Sequence, residues 1–337
     1  MRALVLGGTA WLGREIVRAL LARGADVTCL ARGESGPTVE GSTLLQADRQ
    51  QPDAYDGITG DFDAVIELAY EPDLVRSALS ALAHRAAHWT LVSSVSVYAD
   101  NDAPHADEES RLVAPLDLDQ YPDAKAAAEI ASIDQLGDRL LVARPGLIVG
   151  PGDPSDRFGY WPMRLQRGGR VLVPSFDRRF VQVVDVTDLA RWIATAASSN
   201  RTGIFNVVGN PIPMAQFFEI AATVADFSGV FVTAEDAFLM NEGVNFWAGP
   251  RSLPLWLPLD DGGFAQRDNA KFLRSGGSLM PVDKTLARVL QDESERGLDR
   301  TRRSGLSRDE ESQLLDTVMS QASSGRSSSS ARRENLG

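Results

Sequence analysis

Lysine, histidine and cysteine are scarce in this sequence of 337 residues. It has three histidines and a single cysteine, Cys29, which excludes a disulfide framework and a zinc site built from the usual ligands. We therefore predict no bound metal. Lysine occurs only at positions 125, 271 and 284, so 31 of the 34 basic residues are arginine. A lysine placed beside another functional side chain is therefore unusual in this chain.

Long apolar runs and clustered positive charge are also missing. No stretch has the roughly 18 consecutive apolar residues of a membrane-spanning helix, and the N-terminal apolar run is too short for a signal peptide. With 46 acidic and 34 basic residues the net charge is −12, which disfavours a nucleic-acid partner because such a partner needs clustered positive charge. We predict a cytoplasmic, globular protein whose partner is a small molecule.

Apolar runs alternate with helix-like patterns through the first 150 residues. Runs such as "RALVLG" and "DVTCLA" are typical of strands buried on both faces, and amphipathic segments such as "PDLVRSALSALAHRAA" separate them. This alternation predicts an α/β fold, with a Rossmann-type doubly wound parallel sheet over residues 1–150. The predicted strands are 2–7, 26–31, 42–47, 62–69, 88–98 and 139–150.

Proline, glycine and aromatic residues become frequent after Gly150. We predict that residues 151–318 form a smaller, irregular substrate-binding region, which partly returns to the first domain. Its aromatic residues suit an apolar or aromatic substrate, although core packing explains each one equally well. These residues are Tyr160, Trp161, Phe176, Phe246, Trp247 and Trp256. Residues 319–337 are rich in serine, which predicts a disordered tail.

A glycine-rich turn lies between the first predicted strand and the first predicted helix, in "VLGGTAWLGREIV". Ala10 takes the middle position of a G-x-x-G-x-x-G spacing. Such a turn presents backbone N–H groups and the positive end of a helix to a pyrophosphate. A tight turn without a ligand is the alternative. We predict a dinucleotide site formed by Gly7, Thr9, Ala10, Trp11, Leu12 and Gly13.

Tyr121 and Lys125 lie four residues apart in "QYPDAKAAAE", an alanine-rich segment that predicts a helix. Positions i and i+4 share one helix face. A free phenol near pKa 10 is a poor acid–base group at neutral pH, but a nearby ammonium stabilises the phenolate and lowers that pKa. The pair is therefore a candidate acid–base site. A solvated helix face is the alternative.

Five segments resemble, in order, the motifs of the extended, epimerase/dehydratase-like short-chain dehydrogenases/reductases. They are "GGTAWLG", "SSVSVY", "YPDAK", "RPGLIVGPGD" and "VQVVDVTDLA", and the resemblance covers about residues 1–210. It implies a Rossmann fold, a nicotinamide dinucleotide and a catalytic set of Ser94, Tyr121 and Lys125. Ser94 would orient the substrate oxygen, although Ser93 or Ser96 fits the alignment too. Dimerisation through two helices of the first domain is usual in this family.

The resemblance implies further cofactor contacts where other strands end. Asp48 follows the third strand, where the superfamily often places an acid on the adenine amino group. The backbone at Leu68 and Ala69 would line the cofactor after the fourth strand. Pro145 and Gly146 follow the sixth strand and would hold the carboxamide. Lys125 would also reach the nicotinamide ribose.

The segment "CLARGESG" bears on the choice of cofactor. NAD-binding relatives usually place an acid at the end of the second strand to bind both ribose hydroxyls. Here Ala31, Arg32 and Gly33 fill that position, and Arg32 is suited to a 2′-phosphate. Arg49 is a candidate second positive charge. We predict NADP, with NAD as the alternative if Arg32 only stacks on adenine.

Two departures from the family pattern bear on the reaction. Val95 stands where dehydratases of this branch carry an acid, and Leu147 stands where nucleotide-sugar epimerases commonly carry an asparagine. We predict an NAD(P)-dependent reductase or dehydrogenase that transfers a hydride between the nicotinamide and a carbonyl or alcohol. A nucleotide-sugar epimerase is the alternative. An alternative of another class is a non-catalytic dinucleotide-sensing or RNA-binding protein.

Overall fold

The computed structural model of the protein describes residues 1–297 and 299–334, with side chains as far as residue 321. Its strands, in chain order, are β1 (Arg2–Leu6), β2 (Asp26–Ala31), β3 (Thr43–Gln46), β4 (Phe62–Glu67), β5 (Ala86–Val92), β6 (Leu140–Pro145), β7 (Leu147–Val149), β8 (Gly169–Pro174), β9 (Phe180–Val181), β10 (Val183–Asp185), β11 (Gly203–Val207), β12 (Ile212–Pro213), β13 (Gly229–Ala234), β14 (Asn245–Trp247) and β15 (Ser252–Pro254).

The α-helices, in chain order, are α1 (Trp11–Leu21), α2 (Pro72–Leu82), α3 (Tyr121–Leu136), α4 (Arg157–Gln166), α5 (Val186–Ser198), α6 (Met214–Val224), α7 (Asp236–Asn241), α8 (Ala270–Arg274), α9 (Val282–Arg296) and α10 (Arg308–Glu334). Short 3₁₀ helices are Ala83–Arg85, Val95–Val97, Gly137–Arg139 and Leu259–Ala265.

The chain forms two compact units. The first comprises Met1–Gly150, Phe180–Ile212 and Asp260–Pro281. The second comprises Pro151–Arg179, Pro213–Leu259 and the chain from Val282 onward.

Seven strands of the first unit form one sheet, in the order β11-β6-β5-β4-β1-β2-β3. Each neighbouring pair is parallel. The order β3-β2-β1-β4-β5-β6 within it is that of a doubly wound sheet, so the predicted Rossmann-type fold is confirmed. Strand β11 is an addition that the pattern does not predict, because "GIFNV" is a short apolar run interrupted by asparagine.

Helices bury both faces of this sheet. On one face α1 and α5 contribute Ile16 and Leu189 to the apolar core, and on the other α2 and α3 contribute Val75 and Leu136. Burying an aliphatic side chain of this size stabilises the fold by about 1.5–3 kcal/mol. The carboxyl ends of the strands are thereby held in fixed positions, and in open α/β sheets ligands bind at that edge.

Helix α3 begins at Tyr121, and the alanine-rich segment that follows is helical as predicted. Pro122 stands in its first turn, where the missing N–H leaves no helical hydrogen bond unmade. Ala124 and Ala128 are fully buried, and their small side chains let the helix pack closely. Lys125 lies on this buried face, and a lysine there needs a specific reason, since lysines are rarely buried without partners.

The second unit has an aromatic core around α4 and α6. The ring centroids of Trp161 and Phe218 are 4.6 Å apart, and the Trp161 indole N–H donates to the Pro254 carbonyl at 2.7 Å. Tyr160, Trp161 and Trp256 are buried. Core packing, and not contact with an aromatic substrate, therefore explains these three residues. Phe176, Phe246 and Trp247 remain partly exposed.

The last helix, α10, spans residues 308–334. Residues 335–337 lie outside the described part of the chain, and the disordered tail over residues 319–337 stays a prediction. Among the described residues, no helix is both long enough and apolar enough to cross a membrane.

Candidate cofactor and catalytic site

The turn between β1 and α1 has the form of an anion-binding loop. Ala10 precedes α1 in extended conformation, and no side chain caps the helix there. A Cβ atom on Gly13 would lie 2.3 Å from the Gly7 carbonyl oxygen, so only glycine lets the first helical turn approach the loop this closely. The positive end of α1 is thus presented without a capping side chain, which fits the pyrophosphate of a dinucleotide.

A cavity of about 320 Å³ opens at this turn, along the carboxyl ends of β1, β2 and β4. It brings together most of the cofactor residues predicted from the sequence: Gly7, Thr9, Ala10, Arg32, Asp48, Arg49, Leu68 and Ala69. The other predicted cofactor residues are not among its lining residues: Trp11, Leu12 and Gly13, in the first turn of α1, Tyr121 and Lys125 on α3, and Pro145 and Gly146 at the end of β6. Tyr70, Glu71 and Leu74 complete the wall on the β4 side.

Arg32 lies on the loop after β2, and 56% of its side chain is exposed. Its Nε atom is 3.4 Å from the nearer carboxylate oxygen of Glu34. Arg14, which the sequence does not single out, holds this loop against the phosphate turn by donating to the carbonyls of Thr9 (2.9 Å) and Ser35 (3.3 Å). The Arg32 guanidinium is thus held at the mouth of the cavity without being buried in an ion pair.

Arg49 has a partner within the protein that the sequence analysis does not indicate. It forms a bidentate ion pair with Glu67, with 2.8 Å between Nη1 and Oε1, and it also donates to the Leu74 carbonyl and the Tyr55 hydroxyl. The Glu67 side chain is fully buried, and a buried carboxylate requires a paired cation. Although burial opposes it, this pairing raises the pKa of Arg49. The Arg49 guanidinium, predicted as a second positive charge for a cofactor phosphate, is therefore ion-paired with the Glu67 carboxylate.

Glu67 supports the cavity wall from within the sheet, and the sequence analysis does not single it out. Besides binding Arg49, it accepts a hydrogen bond from the Ala69 backbone N–H at 2.8 Å. This contact fixes the chain after β4, where Leu68 and Ala69 line the cavity. The one feature of the sequence that could have indicated Glu67 is that it is a charged residue inside the otherwise apolar run "AVIELA".

Lys125 is 3% exposed and lies beneath two aromatic rings. Its ammonium donates to the Val92 carbonyl at 2.6 Å and lies 3.4 Å from the Ala69 carbonyl oxygen. Nζ is 5.9 Å from the Tyr121 ring centroid and 5.7 Å from that of Tyr70. Burial lowers the pKa of Lys125 to about 8, although carboxylates that include Glu67 oppose the shift.

Tyr121 is the first residue of α3 and is 42% exposed. Its ring packs edge-on against Tyr70, with centroids 5.1 Å apart and planes at 68°. Tyr70 also lines the cofactor cavity. The sequence does not indicate Tyr70, because this contact joins a loop after β4 to a helix some fifty positions later.

Ser94 ends the loop after β5 and begins the short helix Val95–Val97. Its hydroxyl accepts from the Ser96 N–H and donates to the Ser96 hydroxyl, both at 3.1 Å. Helix α3 packs against this short helix, so Ser94 and Tyr121 belong to neighbouring elements. Ser93 is buried and, within the described residues, its hydroxyl has no hydrogen-bond partner.

A buried polar network ties α3 to the sheet. Arg144 on β6 donates to both Glu129 carboxylate oxygens, at 3.0 and 2.7 Å, and to the Tyr98 hydroxyl at 3.0 Å. The Tyr98 hydroxyl donates to the Asn206 side chain at 2.6 Å. Because Glu129 lies one turn beyond Lys125, the network fixes the helix that carries Lys125 and Tyr121.

Residues 3–208 match a family model described as the NAD dependent epimerase/dehydratase family. The chain belongs to this family. The resemblance seen in the sequence is thereby confirmed. A curated relative, the epimerase family protein SDR39U1 of Bos taurus, is 26% identical over 225 residues, which are 62% of this chain and 74% of the relative.

Two further similarities concern a reductase and a solved epimerase. The bifunctional pinoresinol-lariciresinol reductase of Forsythia intermedia is 32% identical over 103 residues, 30% of this chain and 33% of the reductase. The crystal structure of Thermus thermophilus UDP-glucose 4-epimerase, a complex with NAD, superposes with a TM-score of 0.62 at 18% identity and covers 88% of this chain and 99% of that one. The structural likeness shows a shared fold.

Proposed function

We propose that this protein is an NAD(P)-dependent oxidoreductase that transfers a hydride between a nicotinamide and the carbon of a carbonyl or alcohol, with Tyr121 as the acid–base residue. One observation carries the proposal. The buried ammonium of Lys125 lies under the Tyr121 ring, on the same helix, and 3.4 Å from the carbonyl oxygen of Ala69, a residue of the cavity wall. A cation held there favours the phenolate and so makes the Tyr121 proton transferable.

The roles of this chain's own residues follow from their positions. A bound nicotinamide cofactor supplies or accepts the hydride. Tyr121 gives a proton to the substrate oxygen during reduction and takes it back during oxidation. Lys125 stays largely protonated at neutral pH, since burial lowers the pKa of this amine only to about 8. Ser94 orients the substrate oxygen from the neighbouring strand end.

A reductase or dehydrogenase fits the site better than a dehydratase or a nucleotide-sugar epimerase. Val95 is buried and apolar at the position where an acid would assist the loss of water. Leu147, in place of an epimerase asparagine, is also buried, in β7. The partial similarity to a plant reductase agrees with this choice. We regard nucleotide-sugar epimerase as the second candidate, because the matched family is named for that chemistry.

NADP is the proposed cofactor within the NAD(P) class. The support is Arg32, an exposed guanidinium on the cavity wall after β2, where an acid would repel a 2′-phosphate. Since Arg49 is bound to Glu67, the preference rests on Arg32 alone.

Consumption of NADPH or NADH against a panel of ketones, aldehydes and nucleotide sugars tests the proposal. Net oxidation of the cofactor with a carbonyl compound supports a reductase. Isomerisation of a nucleotide sugar without net redox change would instead establish the epimerase. Cofactor binding without turnover of any compound would favour a sensing role.

A further inference from the structure

The second unit contains a cavity of about 580 Å³, which is within the size range of small-molecule sites. Its main wall is the segment 299–308, between α9 and α10. The rest of the wall consists of Met163 and Arg167, near the end of α4, the pair 250–251, and Glu310 in the first turn of α10.

The charge of this cavity is opposite to that of the whole chain. Five arginines line it, against two acids, Asp299 and Glu310, whereas the chain carries a net charge of −12. The arginines are Arg167, Arg251, Arg300, Arg302 and Arg308. A concave surface with an excess of one charge sign concentrates ligands of the other sign.

Arg300 and Arg302 are held in place by carboxylates that do not line the cavity. Glu293 on α9 is buried and accepts from Arg300, at 2.9 and 3.0 Å, and from Arg302. Asp156 accepts a second hydrogen bond from Arg300. These carboxylates fix the two guanidinium groups in place without occupying the cavity, since neither Glu293 nor Asp156 is among its lining residues.

The remaining three arginines pair with the two acids of the cavity wall. Arg167 and Arg308 share one carboxylate, that of Asp299, at 3.1 and 2.5 Å. Arg251 is 3.6 Å from Glu310. Because two guanidinium groups share this one carboxylate, they lie close enough to repel one another, and burial followed by the charge of Arg308 lowers the pKa of Arg167. An anion in the cavity would relieve this repulsion.

The wall is held rigidly. Gly305 has φ +113°, and a Cβ atom there would lie 2.2 Å from the Tyr160 ring, so the segment packs directly on the aromatic core. The Ser304 hydroxyl donates to the Ser155 carbonyl at 2.9 Å and accepts from the Gly249 N–H at 3.1 Å. A preformed arrangement loses little conformational freedom when a ligand binds.

We propose that this arginine pocket binds a phosphate dianion, either as inorganic phosphate or as the phosphate group of a small phosphomonoester. Planar guanidinium groups match phosphate oxygens by paired hydrogen bonds, which distinguishes a phosphate from a simple monovalent anion. The pocket lies wholly in the second unit, whereas the dinucleotide cavity lies in the first, so the proposal is independent of the proposed catalytic function.

Calorimetric titration of the full chain with inorganic phosphate, at constant ionic strength, tests the proposal. We expect saturable 1:1 binding that the Arg251→Gln/Arg308→Gln variant weakens at least tenfold. A parallel titration with glucose 6-phosphate separates the two ligand sources, because tighter binding of the ester identifies the phosphomonoester. No saturable binding of either compound, or equal heats from chloride at the same ionic strength, would overturn the proposal.

Two variants locate the effect. Arg191→Gln removes an exposed arginine of the first unit and should bind phosphate like the wild type, whereas Arg32→Ala removes the guanidinium that the dinucleotide cavity would itself offer to a phosphate. Loss of binding in Arg32→Ala would place the phosphate at the dinucleotide cavity instead. If the double variant does not fold, Arg308→Gln alone, at a side chain that is 65% exposed, should still weaken binding several-fold. Wild-type affinity in that variant would contradict the proposal.

Discussion

The ammonium of Lys125 lies 5.9 Å from the ring centroid of Tyr121, one helical turn earlier on α3. The two residues differ in exposure, because Lys125 is almost completely buried while Tyr121 is 42% exposed. A buried cation under an accessible phenol favours the phenolate and leaves the phenol open to solvent, which suits the proposed acid–base role of Tyr121. The backbone carbonyl of Val92 and the network through Glu129 keep both residues in place.

Replacing Tyr121 by phenylalanine should lower kcat by about 10²–10⁴-fold and leave the Kd of the cofactor nearly unchanged, because only a transferable proton is lost. Tyr70→Phe is the matched control, since it removes a phenol hydroxyl beside the same lysine. Steady-state kinetics and fluorescence titration with NADPH measure both quantities. A Tyr121→Phe enzyme that keeps more than a tenth of the activity, or a Tyr70→Phe enzyme that loses it, would show that the proton comes from elsewhere.

Lys125 should make the stability of the fold depend on pH. Burial lowers the pKa of Lys125 from 10.5 to about 8, so between these values the unfolded chain binds more protons than the native one. The free energy of unfolding of the wild type, relative to Lys125→Met, should therefore rise as the pH increases from 8 towards 10.5. A shift of this size corresponds to at most ~3 kcal/mol over the window.

Urea unfolding of both proteins between pH 7 and pH 10 measures this difference. Lys284→Met is the control, because that lysine side chain is 70% exposed. A wild-type advantage over Lys125→Met that stays constant across the range would contradict the lowered pKa of Lys125.

Arg32→Ala should weaken NADPH binding by tenfold or more and NADH binding by much less, because under the proposed NADP preference this cavity-lining guanidinium binds the 2′-phosphate. Arg18→Ala removes another exposed arginine, on α1, and should change neither Kd. Titration of both cofactors against the three proteins decides the point. Equal losses for the two cofactors, or a wild-type preference for NADH, would mean that Arg32 does not bind the phosphate.

The sequence predicts those parts of the site that depend on local spacing. The phosphate turn around Gly13 and the pair Tyr121 and Lys125 are local patterns, and each lies on the element that the spacing indicates. Contacts between distant segments are not predictable in this way. Tyr70 meets Tyr121 only because the loop after β4 and the start of α3 converge at one edge of the sheet.

Arg49 shows the same limit. Its position after β3 places it correctly at the cavity, but the direction of its side chain depends on Glu67, which is supplied by another strand. A pattern of residues along the chain contains no information on which of several nearby anions a guanidinium will bind. For this reason the sequence indicates Arg49 as a cavity residue but gives no sign of its pairing with Glu67.

The pairing of Arg49 with Glu67 leads to a prediction that separates stability from cofactor choice. Glu67→Gln should destabilise the fold by about 3–5 kcal/mol, because it leaves the buried Arg49 guanidinium without its carboxylate. Arg49→Met/Glu67→Leu removes both charges and should recover most of that loss, since apolar replacement of a buried pair is often neutral. Arg49→Met alone should lower the free energy of unfolding by a similar amount and leave the ratio of NADPH to NADH affinity unchanged. Urea unfolding and cofactor titration of the three variants measure these effects. A change in the cofactor ratio in Arg49→Met, without loss of stability, would return Arg49 to the phosphate-binding role that its position in the sequence indicates.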